Sequence, residues 1–341
     1  IIVLSLAILP FLGVGGMQIY RAEVPGPSKD RLTPRIASTA KLLWGLYVLL
    51  SVAEALLLMV GGMDWYDACC HTFTTMSTGG FSTRTASIAA YDSLYIEIVI
   101  IVFMFLAGAN FALHYRALRG DGRCYVRDPE FRLYTGFWLA SCLMLALNTW
   151  RTVYAGPADA LRAAFFQGTS IMTTTGYVTA DFDLWPNASR ILLVGLMFIG
   201  GCGGSTGGGM KVVRISVMLK MILRELGRVM RPRAVVRIKL GRESLPEDTV
   251  SNIASFALIF VLAFALASLV MTFYTPDIVT AASSVAATLG NIGPGLGAVG
   301  ATQTYASIPA AGQAILIVCM LLGRLELYTV LVLLLPSFWR K

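Results

Sequence analysis

The segment from Ala158 to Met172 is largely apolar yet supplies only about four helical turns, whereas a bilayer span takes about 20 apolar residues. It stops in Thr173-Thr174-Thr175-Gly176, and the chain then turns polar through Thr179, Asp181 and Asp183. A short apolar segment that ends in hydroxyls and flexible backbone reads as a re-entrant hairpin. Irregular backbone at membrane depth is tolerated only where it is buried in protein or lines a wet path. The carbonyls beyond Met172 therefore need a partner, and a dehydrated monovalent cation is the natural one. The C-terminal end of the short helix, with its partial negative charge, aims at the same point. Taken alone, the stretch reads equally well as a Thr-rich interfacial loop capping an ordinary helix.

Repetition separates the two readings. Upstream, Tyr66 to Met76 runs into Ser77-Thr78-Gly79-Gly80-Phe81, and downstream Ile278 to Leu289 runs into Gly290-Asn291-Ile292-Gly293-Pro294-Gly295. Gly80, Gly176 and Gly293 are the matching glycines, and each hairpin lies between two long apolar segments. The unit is helix, pore hairpin, helix. The candidate cation ligands are then the backbone groups of Thr78, Gly79 and Gly80, of Thr174, Thr175 and Gly176, and of Asn291, Ile292 and Gly293.

Gly80 and Gly176 are 96 residues apart. The same step back places a preceding glycine before residue 1, and the helix expected after Gly80, over 93–115, then maps onto the apolar run 1–20. That run also lacks the charged leading region of a signal peptide. The sequence reads as the last helix of an incomplete first repeat (1–20), a second pore repeat (41–115), a third (131–226), a basic cytoplasmic connection (227–248) and a fourth pore repeat (249–339). The fold class expected is an all-α integral membrane protein whose repeated units surround a central ion pore. The crossings are expected over 42–60, 93–114, 131–154, 249–274 and 308–335.

Composition fits that class, since 56% of 341 residues are hydrophobic, 13% are charged and mean hydropathy is +0.71. A net charge of +8 would suit nucleic acid, but the distribution of basic residues argues otherwise. Of 27 Lys and Arg, five lie in 21–41, five in 116–132 and ten in 211–242. The positive-inside rule makes these segments cytoplasmic. The opposite loops carry Asp64, Asp67, Asp92, Asp159, Asp181, Asp183 and Asp277 against Arg84, Arg151, Arg162 and Arg190, a rim expected to attract cations. Six cysteines show no metal or disulfide spacing, and His71 beside Cys69 and Cys70 lacks the helical spacing of metal ligands. There is no nucleophile-base pair or metal motif of an enzyme. Glu54, inside the first long segment, is costly in a membrane and faces either a helix contact or a wet cavity.

From Gly200 to Gly209, seven of ten residues are glycine. At about 1 kcal/mol for each, no helix continues through them. A phosphate cradle would need Gly-Lys-Ser/Thr after a strand, and neither is present. Gly203, Gly204, Ser205, Thr206, Gly207 and Gly208 are expected to form a mobile intramembrane gate beneath the third-repeat hairpin, together with Arg324 from the last long segment. The plainer alternative is a passive kink. The basic, apolar-interleaved stretch 211–242 suggests a helix at the cytoplasmic surface, suited to anionic lipid or an acidic partner.

The stretches LPFLGVGGMQIYRAEVPGP, GGFSTRTASI, AFFQGTSIMTTTGY, GGCGGSTGGGMKVVRI, LGNIGPGLG and GRLELYTVLVLLLPSFWRK run from one end of the chain to the other. Together they resemble the TrkH/KtrB/HKT superfamily of potassium transporters, in its bacterial TrkH branch. The resemblance implies a four-repeat pore similar to a tetrameric potassium channel, in a multi-pass protein of the bacterial inner membrane. It implies potassium as the transported ion, bound at the filter residues, no organic cofactor, and uptake gated by the Gly-rich loop and Arg324. It also implies a homodimer and a cytosolic nucleotide-binding regulatory subunit of the TrkA kind. A secondary carrier coupling a cation or solute to proton or sodium is the competing class, but it predicts inverted repeats and a chargeable residue in the site. Here the repeats run in parallel sense and no acid lies in any filter stretch.

Overall fold

A computed structural model describes residues 36–231, 236–241, 243–325 and 327–333. The run 1–20 and Glu326 lie outside the described residues, as do Arg233, Arg242 and the basic C-terminus. Among the described residues, thirteen α-helices and one two-residue hairpin succeed one another. They are α1 (Ile36–Val60), α2 (Trp65–Met76), α3 (Leu94–Ala107), α4 (Phe111–Leu118), α5 (Cys124–Arg127), α6 (Pro129–Thr149) and α7 (Pro157–Met172). Then come α8 (Asn187–Phe198), α9 (Val212–Met230), the strands β1 (Lys239–Leu240) and β2 (Glu243–Ser244), α10 (Glu247–Met271), α11 (Ile278–Leu289), α12 (Ala310–Arg324) and α13 (Leu327–Leu333).

The short helices α2, α7 and α11 each pack between the helix before and the helix after them, as α1-α2-α3, α6-α7-α8 and α10-α11-α12. Their starts are chemically marked. The Asp64 and Asp277 side chains accept from the first-turn N–H groups of Asp67 and Thr280, and Pro157 opens α7. Neighbouring units join because α3 also packs on α7 and α8 on α11. The core follows this plan, with one cluster around Ile171, Met172, Leu196, Met197 and Ala287 and another around Met76, Ile100, Met104 and Phe166.

Lys41–Val60 and α10 are long and apolar enough to cross a membrane, and α3 with α4 makes a third span if the bent pair is counted as one. Along α10, Leu258, Val261, Leu262, Leu266 and Leu269 stand exposed. Lipid tolerates such a face and water penalises it.

Two of the expected crossings are interrupted. The segment expected over 93–114 bends by 103° between α3 and α4. Gly108 closes α3 where the Tyr134 hydroxyl leaves no room for a side chain, and the Asn110 side chain accepts the Ala112 N–H to start α4. The segment expected over 308–335 stops at Arg324 and resumes at Leu327. The second break falls at Gly323-Arg324-Leu325-Glu326, where two charged residues interrupt the apolar run. Among the described residues of the basic stretch 211–242, a helix runs to Met230 and a hairpin follows over Lys239–Ser244.

Candidate ion filter and gate

The three loops after α2, α7 and α11 have one backbone conformation. Thr78, Thr174 and Asn291 have φ of 53°, 60° and 56°, and two residues on Gly80, Gly176 and Gly293 have φ of 65°, 87° and 111°. In each loop two successive N–H groups fold back onto one carbonyl of the short helix. Gly79 and Gly80 donate to Thr74, Thr175 and Gly176 to Ser170, and Ile292 and Gly293 to Ala287, at 2.7–3.5 Å. A trans peptide holds its N–H and C=O in opposite directions. The carbonyls of Thr78 and Gly79, Thr174 and Thr175, and Asn291 and Ile292 must therefore all point away from their own helices.

Those carbonyls face the neighbouring loops. A Cβ on Gly80 would overlap the Thr175 carbonyl oxygen, and one on Gly176 would overlap that of Ile292. Each of these glycines is a seat for the next loop's oxygen, at a φ that side chains resist. The order around the site is thus the loop after α2, the loop after α7 and the loop after α11. Among the described residues, nothing stands within 4 Å of the corresponding position on Gly293. All nine expected ligand positions fall in this one arrangement, and the C-terminal ends of α2, α7 and α11, with their partial negative charge, abut it.

Beneath it lies the Gly-rich segment. Helix α8 ends at Phe198, and Ile199 and Met210 form a bridge that draws 200–209 into a loop. Thr206 to Gly208 touch the filter loops: the Thr78 hydroxyl donates to the Thr206 carbonyl at 3.0 Å, and the Gly208 N–H donates to the Thr174 hydroxyl at 2.6 Å. Gly208 also lies against the Gly290 carbonyl with no space for a side chain. Arg324 reaches the same Thr206 carbonyl at 3.0 Å, and Gly323 presses on the Leu289 carbonyl at the end of α11. Gly203 to Ser205 face elsewhere. Gly203 donates to Glu130 at 2.6 Å, the Gly204 carbonyl accepts from Phe111, and the Ser205 hydroxyl returns to Cys202.

The broken helix explains the docking. Carbonyls freed at a helix end need partners, and Ala107 accepts both the N–H and the hydroxyl of Thr206 while Gly108 accepts the Cys202 N–H. Lys211 donates its ammonium to the Gly207 carbonyl. Glu130, buried in the first turn of α6, accepts from Gly203 and, at 3.1 Å, from Val213 at the start of α9. The segment expected to be cheap to displace is therefore tied at several points, because glycine frees the backbone to bond and not only to move. Nothing in the sequence around Glu130 singles it out, since Asp128-Pro129-Glu130 reads as an ordinary helix start.

The outer loops carry less net field than their acids suggest. Arg84 pairs with Asp67 at 2.7 Å, Arg162 with Asp92 at 3.0 Å and Glu97 at 2.9 Å, and Arg190 with Asp183 at 3.3 Å. Thr280, through its N–H and hydroxyl, holds the Asp277 carboxyl below its ordinary range. Burial pushes Asp183 up, although Gly297 donates to both of its oxygens at 3.0 Å. Glu54 is fully buried, and among the described residues neither of its oxygens has a hydrogen-bond partner.

The chain matches the model of the TrkH family, described as cation transport proteins, over residues 1–341. It is 46% identical over 344 residues to the Trk system potassium uptake protein TrkH of Escherichia coli K12 and to that of Salmonella typhimurium, covering all of this chain and 71% of each relative. It is 33% identical to the potassium uptake protein TrkG of Escherichia coli K12 over 343 residues, all of this chain and 70% of that one. The crystal structure of the potassium transporter TrkH from Vibrio parahaemolyticus superposes with a TM-score of 0.86 at 41% identity, covering all of this chain and 70% of that one. With identity of this extent and a shared fold, the chain belongs to the TrkH family of cation transport proteins.

Proposed function

We propose that this chain carries potassium ions across the bacterial inner membrane, through a filter made of the backbone carbonyls of 78–80, 174–176 and 291–293. The observation that carries the reading is the shared loop geometry: paired N–H groups turned to the helix end, carbonyls turned away, and a glycine seating the next loop's oxygen. Oxygens so arranged can replace the hydration shell of a monovalent cation. The names of the relatives identify that cation as potassium. The units 41–115, 131–226 and 249–339 are the pore repeats in this reading, and 227–248 is a cytoplasmic connection.

Thr206 to Gly208, with Arg324, are the gate. They occupy the inner side of the filter loops and add a fixed positive charge there. The basic face of α9 is the docking surface for a cytosolic nucleotide-binding subunit of the TrkA kind or for anionic lipid, and two copies of the chain pair in the membrane. Transport is tested with full-length protein in liposomes, where Gly176→Ser places a side chain on the Ile292 oxygen. Discrimination of potassium over sodium is expected to fall by about tenfold or more, the order of one lost charge-assisted contact. Unaltered discrimination in that variant would make the glycine merely structural and sink the filter reading.

A further inference from the structure

The three loops differ in what holds the backbone just beyond the seat glycine. In the first, Thr74 accepts the Gly79 and Gly80 N–H groups on its carbonyl and also turns its hydroxyl onto the Phe81 carbonyl at 2.8 Å. In the second, Ser170 does both, its hydroxyl reaching the Tyr177 carbonyl at 2.6 Å. A strut of this kind closes the loop with a hydrogen bond from its own short helix.

The third loop has no strut next to its seat glycine: Ser283 of α11 donates its hydroxyl to the Leu296 carbonyl at 3.1 Å and accepts the Leu296 N–H at 2.9 Å, three residues past Gly293. The residue whose carbonyl accepts Ile292 and Gly293 is Ala287, which has no hydroxyl to give. Its loop continues into Pro294, which has no N–H, so the Gly293–Pro294 peptide lacks a donor as well. Here a hydroxyl arrives from outside the hairpin. Tyr305, in the single turn Tyr305–Ser307, donates to the Gly293 carbonyl oxygen at 2.6 Å. The turn is itself fixed, because the Gln313 amide in the first turns of α12 donates to the carbonyls of Tyr305 at 3.1 Å and Ile308 at 2.9 Å. Among the described residues, the carbonyls of Gly80 and Gly176 accept no such bond.

We infer that Tyr305 is a specificity-determining positioning residue, holding the third loop from outside its hairpin at the Gly293 carbonyl, one residue before the carbonyl that Thr74 and Ser170 hold in the other two loops, and so fixing the Asn291, Ile292 and Gly293 carbonyls at ion-accepting distance. It touches backbone and not the ion. The inference rests on the filter reading of these loops and adds an asymmetry to it. One lone pair of the Gly293 oxygen is committed to Tyr305, so this loop presents a weaker acceptor at its glycine than its two neighbours do. Discrimination between ions then depends on a side chain in the outer loop and, through Gln313, on the start of α12.

The experiment measures potassium and sodium fluxes of full-length protein in liposomes for Tyr305→Phe, for Tyr305→Phe with Ala287→Ser, and for Gly176→Ser as the filter control. Tyr305→Phe keeps the ring and removes only the donor. The potassium-to-sodium permeability ratio is expected to fall about fivefold, the effect of one lost buried hydrogen bond. Ala287→Ser, which gives the third loop a hydroxyl at the position of Thr74 and Ser170, is expected to recover most of that loss. A ratio unmoved by Tyr305→Phe but moved by Gly176→Ser overturns the strut and leaves the filter standing, whereas a ratio unmoved by both removes the filter reading with it. A fall that Ala287→Ser does not recover also overturns the assignment. Should Tyr305→Phe fail to accumulate in membranes, accumulation of the double variant supports the strut and loss of both overturns it.

Discussion

The loop Thr174–Gly176 takes its backbone partners from its own helix, whereas the segment Gly200–Gly209 directly beneath it takes many of its partners from distant parts of the chain. Ser170 alone holds Thr175 and Gly176. The lower segment depends on Thr78, Thr174, Ala107, Gly108, Glu130 and Phe111, which belong to three helices with the cap of one of them, and to two of the hairpin loops. Both stretches are rich in glycine, yet the consequences are opposite. A self-templated loop keeps its shape as long as its helix does. A segment with borrowed partners keeps its shape only while those helices keep their relative positions, which is what a gate responsive to a distant pull requires.

The comparison breaks most visibly on removing the lower segment. Deleting 203–208 from the full-length protein is expected to raise ion flux by about 100-fold, the equivalent of two or three hydrogen bonds lost from the closed state, and to abolish its dependence on a regulatory partner. Arg324→Ala should raise flux less. A charge about 8 Å from the ion in an effective dielectric of about 20 opposes it by about 2 kcal/mol, or about 30-fold. Low, still regulated flux after the deletion would place the gate elsewhere.

Glu130 sharpens the contrast, because one carboxylate oxygen spans the segment and the start of α9. Glu130→Ala strands two N–H groups and is expected to raise basal flux by about tenfold. Glu130→Gln keeps an acceptor at the same place and should lie much closer to wild type. Equal effects of the two would assign the role to charge and not to the shared acceptor. The smallest effect is expected on the cytoplasmic face. Arg228 already pairs with Glu225 at 3.0 Å, so neutralising Arg228, Arg231 and Arg237 should weaken partner binding by about threefold to tenfold at low salt and hardly at all when exposed charges are screened. Indifference of a binding assay at low salt would reduce the stretch to a topology signal.

Much of this was legible in the sequence, for identifiable reasons. The short helices end where Ser77, Thr173 and Gly290 interrupt apolar runs, and their observed limits differ from the expected ones by a residue or none. The bend at Gly108 was not legible, since the Tyr134 hydroxyl that crowds Gly108 is far away in the chain and the cap on Asn110 forms only once the chain has turned. Glu130 was hidden because its partners lie 73 and 83 residues away. Tyr305 had a faint signal. Aligning the repeats sets Thr74 and Ser170 against Ala287, and the missing hydroxyl marks the loop that needs help from outside.

The seats on Gly80 and Gly176 also bear on how the molecule is made. Each glycine receives an oxygen from the repeat that follows it in the chain, Thr175 and then Ile292. A growing polypeptide folds from its N-terminal side first. The loop after α2 can therefore present its vacant notch before the hairpin of α7 has left the ribosome, and the loop after α7 can do the same for that of α11. Ribosomal order and rotational order coincide, so a newly made hairpin has one neighbour to find, and the protein can close in a single sense without rearranging hairpins already in place.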